Sequence, residues 1–147
     1  MNRKQCEEML EFLKQEVENK EYNLWIPDID SFYWYINSKG ESKKDKWGNL
    51  PENYARLNIG NVYKSQEEAD FYLEHLKVKN ELKKYSCDFK YKKRNYYMFY
   101  HDYNRKVVIG CDESIERPDI YFKSEERAEE VIKKVGLERI IKYYLGV

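Results

Sequence analysis

The sequence predicts an α+β fold built from two related units, each made of a β-hairpin, a short strand and a helix. Residues 62–69 recur as residues 121–128, displaced by 59 positions, with a lysine, a serine, a glutamate and an alanine retained. Each copy follows a stretch rich in aromatic strand formers and opens an amphipathic helix. A period near 60 residues is one supersecondary unit used twice, not a solenoid. An antiparallel sheet with helices on one face is therefore expected.

Length and charge limit the classes of protein. The chain has 147 residues, which predicts one domain spanning 1–147. It carries 27 basic and 27 acidic residues, so no global field attracts nucleic acid or an anionic membrane. Aromatic residues make up 16% of the chain, 15 of them tyrosines, and this surplus must lie in cores or on a contact surface.

Cysteine usage and hydropathy predict a cytoplasmic protein. Cys6, Cys87 and Cys111 are far apart and odd in number, which argues against a disulfide framework or a zinc site and favours a reducing compartment. No apolar run reaches transmembrane length, and the N-terminus does not have the pattern of a signal peptide. We therefore expect no membrane partner.

The N-terminal segment, residues 1–20, is predicted to form an amphipathic helix over 4–19. One apolar stripe on an otherwise charged helix comprises Cys6, Met9, Leu10, Leu13 and Val17. This stripe could dock on the body of the protein or pair with a second copy, which would give a dimer through residues 4–19. Docking is favoured because the stripe is short for a coiled coil.

The first unit is predicted over residues 24–85. An aromatic strand at 32–37 ends in a turn at 38–41, and the polar segment 42–60 has the composition of a loop. A short strand at 61–63 is followed by Ser65 and, three residues on, Glu68, a capping box that opens a helix to about residue 85.

The second unit is predicted over residues 95–147. Strands at 95–101 and 106–110 flank a turn and form a hairpin, and a short strand follows at 120–122. Ser124 is the expected N-cap of the next helix, Gly136 ends it, and residues 137–144 form a short closing helix.

No catalytic residues, metal ligands or cofactors are predicted, and we expect a protein that is not an enzyme. His101, Asp102 and Cys111 are residue types of a nucleophilic triad, but the hairpin register places His101 opposite residue 106 and Cys111 opposite residue 96. That separates the histidine from the cysteine by about 16 Å along the ladder, too far for an activated thiolate. Two histidines without a spaced cysteine pair do not suggest a metal site, and no glycine-rich phosphate loop is present.

Local charge suggests two surfaces. Residues 83–94 hold six basic side chains against one acidic side chain, interleaved with Tyr85, Phe89 and Tyr91. Such a strip can follow a nucleic-acid backbone, or it can be the solvated, lysine-rich end of a helix. Residues 112–130 hold eight acidic and three basic side chains, which could meet a basic protein groove or form a solvated face.

A set of motifs resembles small accessory proteins of phages and prophages of low-GC Gram-positive bacteria. The motifs are Trp25-x-Pro27, the strand ending in residues 38–41, Trp47, the runs 56–65 and 76–82, and the ending 121–125 through 142–147. The resemblance covers residues 24–147, with Tyr63 and Ser65 in place of the expected Phe and Thr.

The resemblance implies no assigned reaction and no catalytic residues. It implies a phage-encoded protein that inhibits a host defence system, comparable to anti-CRISPR proteins that bind an effector nuclease stoichiometrically. The alternative is a nucleotide-signal sponge or a single-stranded nucleic-acid-binding protein. The surface residues expected to contact the partner are Trp47, Arg56, Lys90, Tyr91, Lys92, Lys93 and Arg94.

Overall fold

The computed structural model describes residues 4, 5, 7–11 and 24–147, and it has the predicted α+β fold with two antiparallel two-stranded sheets. The chain divides into two compact units, Met1–Leu73 and Glu74–Val147. The boundary falls within one helix, α3 (Gln66–Lys83), whereas the sequence repeat places that whole helix in the first unit.

Unit 1 is organised around an aromatic hairpin. Strands β1 (Phe32–Ile36) and β2 (Ser42–Lys46) pair antiparallel, with Phe32 opposite Lys46. The strands are joined by a turn in which Gly40 has a φ of 72°, a conformation that glycine adopts without steric cost.

The polar segment 42–60, predicted to be a loop, instead contains β2 and the helix α2 (Pro51–Asn58). Strand β2 has no apolar alternation because all five of its residues are polar or charged, and the backbone ladder with β1 holds it. Helix α2 begins at Pro51, a favoured first position, but Tyr54 and Leu57 are its only two large apolar residues. That is too little periodicity to reveal a helix of eight residues.

The core of unit 1 is aromatic. Its buried members are Tyr33, Trp47, Tyr54 and Leu57. The N-terminal helix α1 is described at residues 4, 5 and 7–11, and its Met9 and Leu10 pack against this cluster, as expected for docking. The other stripe residues, Cys6, Leu13 and Val17, lie outside the described residues.

Unit 2 contains a second hairpin, of β3 (Asn95–His101) and β4 (Lys106–Asp112). Helix α4 (Glu125–Val135) ends at Gly136, where φ is 103°, and a helical turn α5 (Leu137–Arg139) continues into a π-helical turn at Ile140–Tyr144. The buried cluster of the unit comprises Val78, Leu82, Met98, Ile120, Phe122, Ala128, Val131, Val135 and Ile140.

The sequence repeat is a repeat of structure. Tyr63 exchanges two backbone hydrogen bonds of 2.9 Å with Trp34 of β1. Its repeat counterpart, Phe122, exchanges two with Tyr96 of β3, at 2.7 and 3.4 Å. Each predicted short strand is thus an isolated bridge beside the first strand of a hairpin, followed directly by a serine-capped helix.

Candidate functional site

Trp47 belongs to the core of unit 1, not to a contact surface. Its side chain is 1% exposed and packs edge-on against the rings of Tyr33 and Tyr54, at centroid distances of 5.6 and 5.3 Å. The indole N–H donates to Asn49 Oδ1 at 3.0 Å. The expectation that this tryptophan meets a partner is therefore corrected, because apolar area and a satisfied indole N–H hold the ring inside.

Arg56 is likewise bound within unit 1. Its guanidinium donates to the Tyr33 hydroxyl at 2.6 Å and to Asp45 Oδ2 at 2.5 Å. It also lies 3.6 Å from the ring centroid of Tyr35, and 23% of the side chain is exposed. These contacts occupy the positive charge and the flat face of the guanidinium, so Arg56 joins α2 to the hairpin instead of offering its charge to a partner.

Opposing influences set the pKa values in this network. Burial acts to raise the pKa of Asp45, but hydrogen bonds from Arg56 and from the Lys46 N–H outweigh it and hold the pKa below its usual range. Burial acts to lower the pKa of Arg56, and its bonds to Asp45 and Tyr33 raise it. Burial also raises the pKa of the Tyr33 hydroxyl. The network is therefore ionic at Arg56 and Asp45 and neutral at Tyr33 near pH 7.

The remaining predicted contact residues lie together in one exposed loop. We call residues 90–94 the basic loop; its members are Lys90, Tyr91, Lys92, Lys93 and Arg94. All five are exposed, and Tyr91 is 66% exposed. Unlike Trp47 and Arg56, these side chains are accessible to a partner.

Asn95, which the sequence analysis did not single out, holds the basic loop in place. Its side chain is 2% exposed. Its Oδ1 accepts from the Lys90 N–H at 2.8 Å, and its Nδ2 donates to the carbonyls of Lys90, Lys93 and Asp112 at 2.9, 2.7 and 3.0 Å. The buried amide ties the backbone of Lys90 and Lys93 to that of Asp112, so the loop has a defined conformation.

A second anchor is Glu113. Its carbonyl accepts from the Lys92 N–H at 2.8 Å, and its carboxylate lies 3.8 Å from Arg94 Nε. Lys92 has a φ of 60°, a left-handed conformation that this hydrogen bond helps to hold. The lysines of the loop form no ion pair with any described residue, so three charges remain open to a ligand.

The second hairpin also carries an aromatic face that is not among the residues predicted from sequence. Tyr97, Phe99 and His101 alternate along β3 and therefore share one side of the sheet. We call these three residues the aromatic face. The signal was present as a period of two, but it could not show which of the two sides faces the core.

The predicted hairpin register is confirmed. His101 lies opposite Lys106 and Cys111 opposite Tyr96, so the histidine and the cysteine do not form a catalytic pair. His75 is half-buried, with Nδ1 2.5 Å from the Tyr143 carbonyl. Within residues 4, 5, 7–11 and 24–147, no three metal-ligating side chains are grouped so that they could hold an ion.

A cleft of about 560 Å³ opens beside the N-terminus of α4. Arg127 on its wall pairs with Glu130 at 3.0 Å and lies 5.1 Å from the ring of Tyr85. The charge of this arginine is thus already compensated, and we assign no ligand to the cleft.

Comparison with known proteins adds no relative. The chain matches no protein-family model, no curated protein and no solved structure. The resemblance to phage accessory proteins therefore stays a prediction. None of the helices in the described part of the chain combines the length and apolar composition that a membrane span requires.

Proposed function

We propose that this protein acts by binding rather than by catalysis: as a phage-encoded cytoplasmic inhibitor, it binds a host defence protein stoichiometrically through the basic loop. A CRISPR effector nuclease is one class of target. The observation that supports the proposal is the basic loop itself, which presents four cations and an exposed tyrosine on a backbone fixed by Asn95.

A preorganised loop suits tight binding because its ordering entropy is lost on folding and not on association. Arginine and tyrosine are enriched among the residues that dominate binding energy in protein interfaces. The open charges of the lysines would meet an acidic patch on the partner and accelerate the encounter. A protein that acts in this way needs no reaction centre.

The first test is an affinity capture: the tagged protein is used to isolate binding partners from the lysate of a low-GC Gram-positive host. A captured defence protein would be purified and its 1:1 binding measured by calorimetry. The variant K92Q/K93Q/R94Q should weaken this binding about tenfold or more, the loss expected from roughly 1.4 kcal/mol or above of lost contact energy. The matched control K39Q/K123Q/K133Q removes three exposed lysines elsewhere and should leave the affinity unchanged.

A second variant tests preorganisation without removing a charge. Asn95→Ala removes the amide that binds the backbone of Lys90, Lys93 and Asp112, so binding should weaken although every cation is retained. Faster hydrogen exchange at the Lys90 amide would report the loosened loop. Equal affinity of N95A and the wild type would remove the loop from the interface.

Inhibition itself is tested in cells. Expression of the protein in a strain whose defence system restricts a test phage should restore plaque formation, and the triple loop variant should not. If the captured protein is bound but its defence activity is unaffected at stoichiometric concentrations, the inhibitor function is wrong even though the binding surface is right.

A further inference from the structure

The aromatic face is separate from the basic loop. It lies on the side of the second hairpin away from the buried cluster. Met98, on the opposite side of β3, is 1% exposed and belongs to that cluster, and Tyr96 and Ile109 pack against it. Strand alternation therefore directs Tyr97, Phe99 and His101 to the other side. All three are half-buried, so part of each ring remains accessible.

The rings form a continuous row. The centroids of Tyr97 and Phe99 are 5.9 Å apart, and those of Phe99 and His101 are 6.4 Å apart, with interplanar angles of 38° and 44°. His101 is oriented by the Asn104 N–H, which donates to its Nδ1 at 3.3 Å. The similar tilts give a stepped surface on which flat groups can stack one after another.

Gly110 provides the space for this arrangement. It lies opposite Tyr97 in the register, and a Cβ at this position would stand 2.7 Å from Tyr97 Cζ. The tyrosine ring therefore lies across the strand where only a glycine leaves room. A larger residue would push the ring away and break the row.

Cations stand at both ends of the row. The Arg117 guanidinium lies 5.5 Å from the Tyr97 ring centroid, and half of its side chain is exposed. Lys106, opposite His101, is exposed and forms no ion pair with a described residue. Residues 106 and 110, which lie opposite His101 and Tyr97 at the two ends of the row, are separated by about 13 Å along β4.

Arg117 pairs with Asp112, but the arginine is not the only partner of that carboxylate. The two side chains are 3.6 Å apart, but Asp112 Oδ1 also accepts from the N–H groups of Ser114 and Ile115 at 3.0 and 3.1 Å. These backbone bonds are the main reason that the pKa of Asp112 is low. Because Oδ1 keeps these two backbone bonds, the carboxylate loses only its contact at Oδ2 when the guanidinium turns toward a phosphate.

Unit 1 shows that this side of the hairpin can be filled. There Tyr35, the counterpart of Tyr97, is covered by Arg56 of α2, which pairs with Asp45. Unit 2 repeats the tyrosine, arginine and aspartate, but residues 113–120 contain no helix. Unit 2 thus has a stacking arginine but no helix at this position to cover the rings.

We propose that the aromatic face binds single-stranded nucleic acid, with bases stacked on Tyr97 and Phe99 and phosphates held by Arg117 and Lys106. Stacking on aromatic side chains contributes roughly 1–3 kcal/mol per base and tolerates any sequence, since every base has a flat face. A double helix hides those faces. The chain has no net charge, so the contact depends on this local placement of rings and cations.

The test is a fluorescence-anisotropy titration at low salt with a labelled oligo(dT) and oligo(rU), each of about ten nucleotides. Tyr97→Leu and Phe99→Leu should each weaken binding about tenfold, and Gly110→Ala should weaken it with every ring retained. Tyr103→Leu is the control, because Tyr103 lies in the turn of the same hairpin and is 92% exposed.

The salt dependence of binding tests the two cations. Arg117→Gln and Lys106→Gln should each reduce the slope of log K against log salt concentration by about one. Circular dichroism verifies that the variants fold.

Three results would overturn the proposal. One is no anisotropy change up to about 100 μM protein, the upper range of non-specific binding. Another is equal affinity for a duplex of the same length. The third is loss of affinity for a captured protein, but not for the oligonucleotides, in the Tyr97 and Phe99 variants, which would make the aromatic face a protein contact.

Discussion

A single hydroxyl connects three elements of unit 1. Tyr33 lies on β1 with no exposed surface, and its hydroxyl accepts from Asn53 Nδ2 at 2.9 Å and from Arg56 at 2.6 Å, both on α2. Arg56 in turn reaches Asp45 on β2. Asn53 is 1% exposed, so its amide has no access to water if the hydroxyl is lost.

Tyr33→Phe should therefore lower the free energy of unfolding by roughly 1–3 kcal/mol, since it leaves a buried amide donor unsatisfied. Urea denaturation followed by circular dichroism measures the loss. Tyr35→Phe is the matched control: it keeps the ring under Arg56, and no described residue accepts or donates a hydrogen bond at that hydroxyl. Equal stability of the two variants would show that the Asn53 amide finds another partner.

Acid stability should depend on Asp45. Its pKa is lower in the folded protein than in the unfolded chain, so the ionised carboxylate stabilises the fold above the unfolded value near 3.9. This stabilisation disappears as the pH falls through the lower, folded pKa. The melting temperature of the wild type should thus fall more steeply than that of Asp45→Asn between about pH 5 and pH 2. Parallel curves would assign the acid sensitivity to Glu41 and Asp112, whose pKa values are also lowered and which both proteins retain.

At the scale of elements, a serine at the equivalent position of the repeat caps the start of each repeated helix. Ser65 Oγ accepts from the Glu68 N–H at 3.2 Å, and Ser124 Oγ accepts from the Arg127 N–H at 3.1 Å. Glu68 Oε2 also accepts from the N–H of Lys64, the residue before the N-cap serine, at 2.8 Å, so this side chain folds back over the start of α3. These starts could be predicted from sequence because a cap depends on residues only three or four positions apart.

Ser65→Ala and Ser124→Ala should each lower the free energy of unfolding by about 1 kcal/mol, the usual cost of a lost N-cap. Thermal unfolding followed by circular dichroism tests this, with Ser38→Ala in an exposed turn as the control. A loss at Ser124 without one at Ser65 would show that the bond from Lys64 to Glu68 is a sufficient cap by itself.

Helix α2 and strand β2 could not be predicted in the same way. Neither has a repeating apolar pattern, and both form because β1 offers a backbone edge and an aromatic surface to cover. Such elements depend on residues distant in the chain, and periodicity reports only the face that an element buries. For the same reason Trp47 and Arg56 were assigned to the surface: nothing local shows that Tyr33, Tyr35 and Asp45 surround them.

At the scale of the whole molecule, the described part of α1 bears on the question of a dimer. Met9 and Leu10 pack against the aromatic cluster of unit 1, and Asn58 Nδ2 lies 3.8 Å from Met9 Sδ. Side chains used in this way are less available to a second copy. This favours docking, the arrangement expected from the short stripe.

Deletion of residues 1–20 should leave the oligomeric state unchanged and lower the free energy of unfolding by roughly 1–3 kcal/mol, the cost of exposing apolar surface under two half-buried side chains. Static light scattering and urea denaturation measure the two quantities. A full-length dimer that becomes a monomer on truncation would instead establish pairing through residues 4–19.

The sequence by itself determined the α+β class, the duplicated unit, the register of the second hairpin and the capped helix starts, because each depends on neighbours in the chain or on an internal repeat. Only the tertiary structure decided which charged and aromatic residues remain on the surface. In the folded protein Trp47 is buried in the core of unit 1, and Arg56 is bound to Asp45 of the same unit. The basic loop remains exposed and is fixed by Asn95, and the aromatic face has no covering helix. Exposure is set by what packs on a residue from elsewhere in the chain, and a linear pattern does not contain that information.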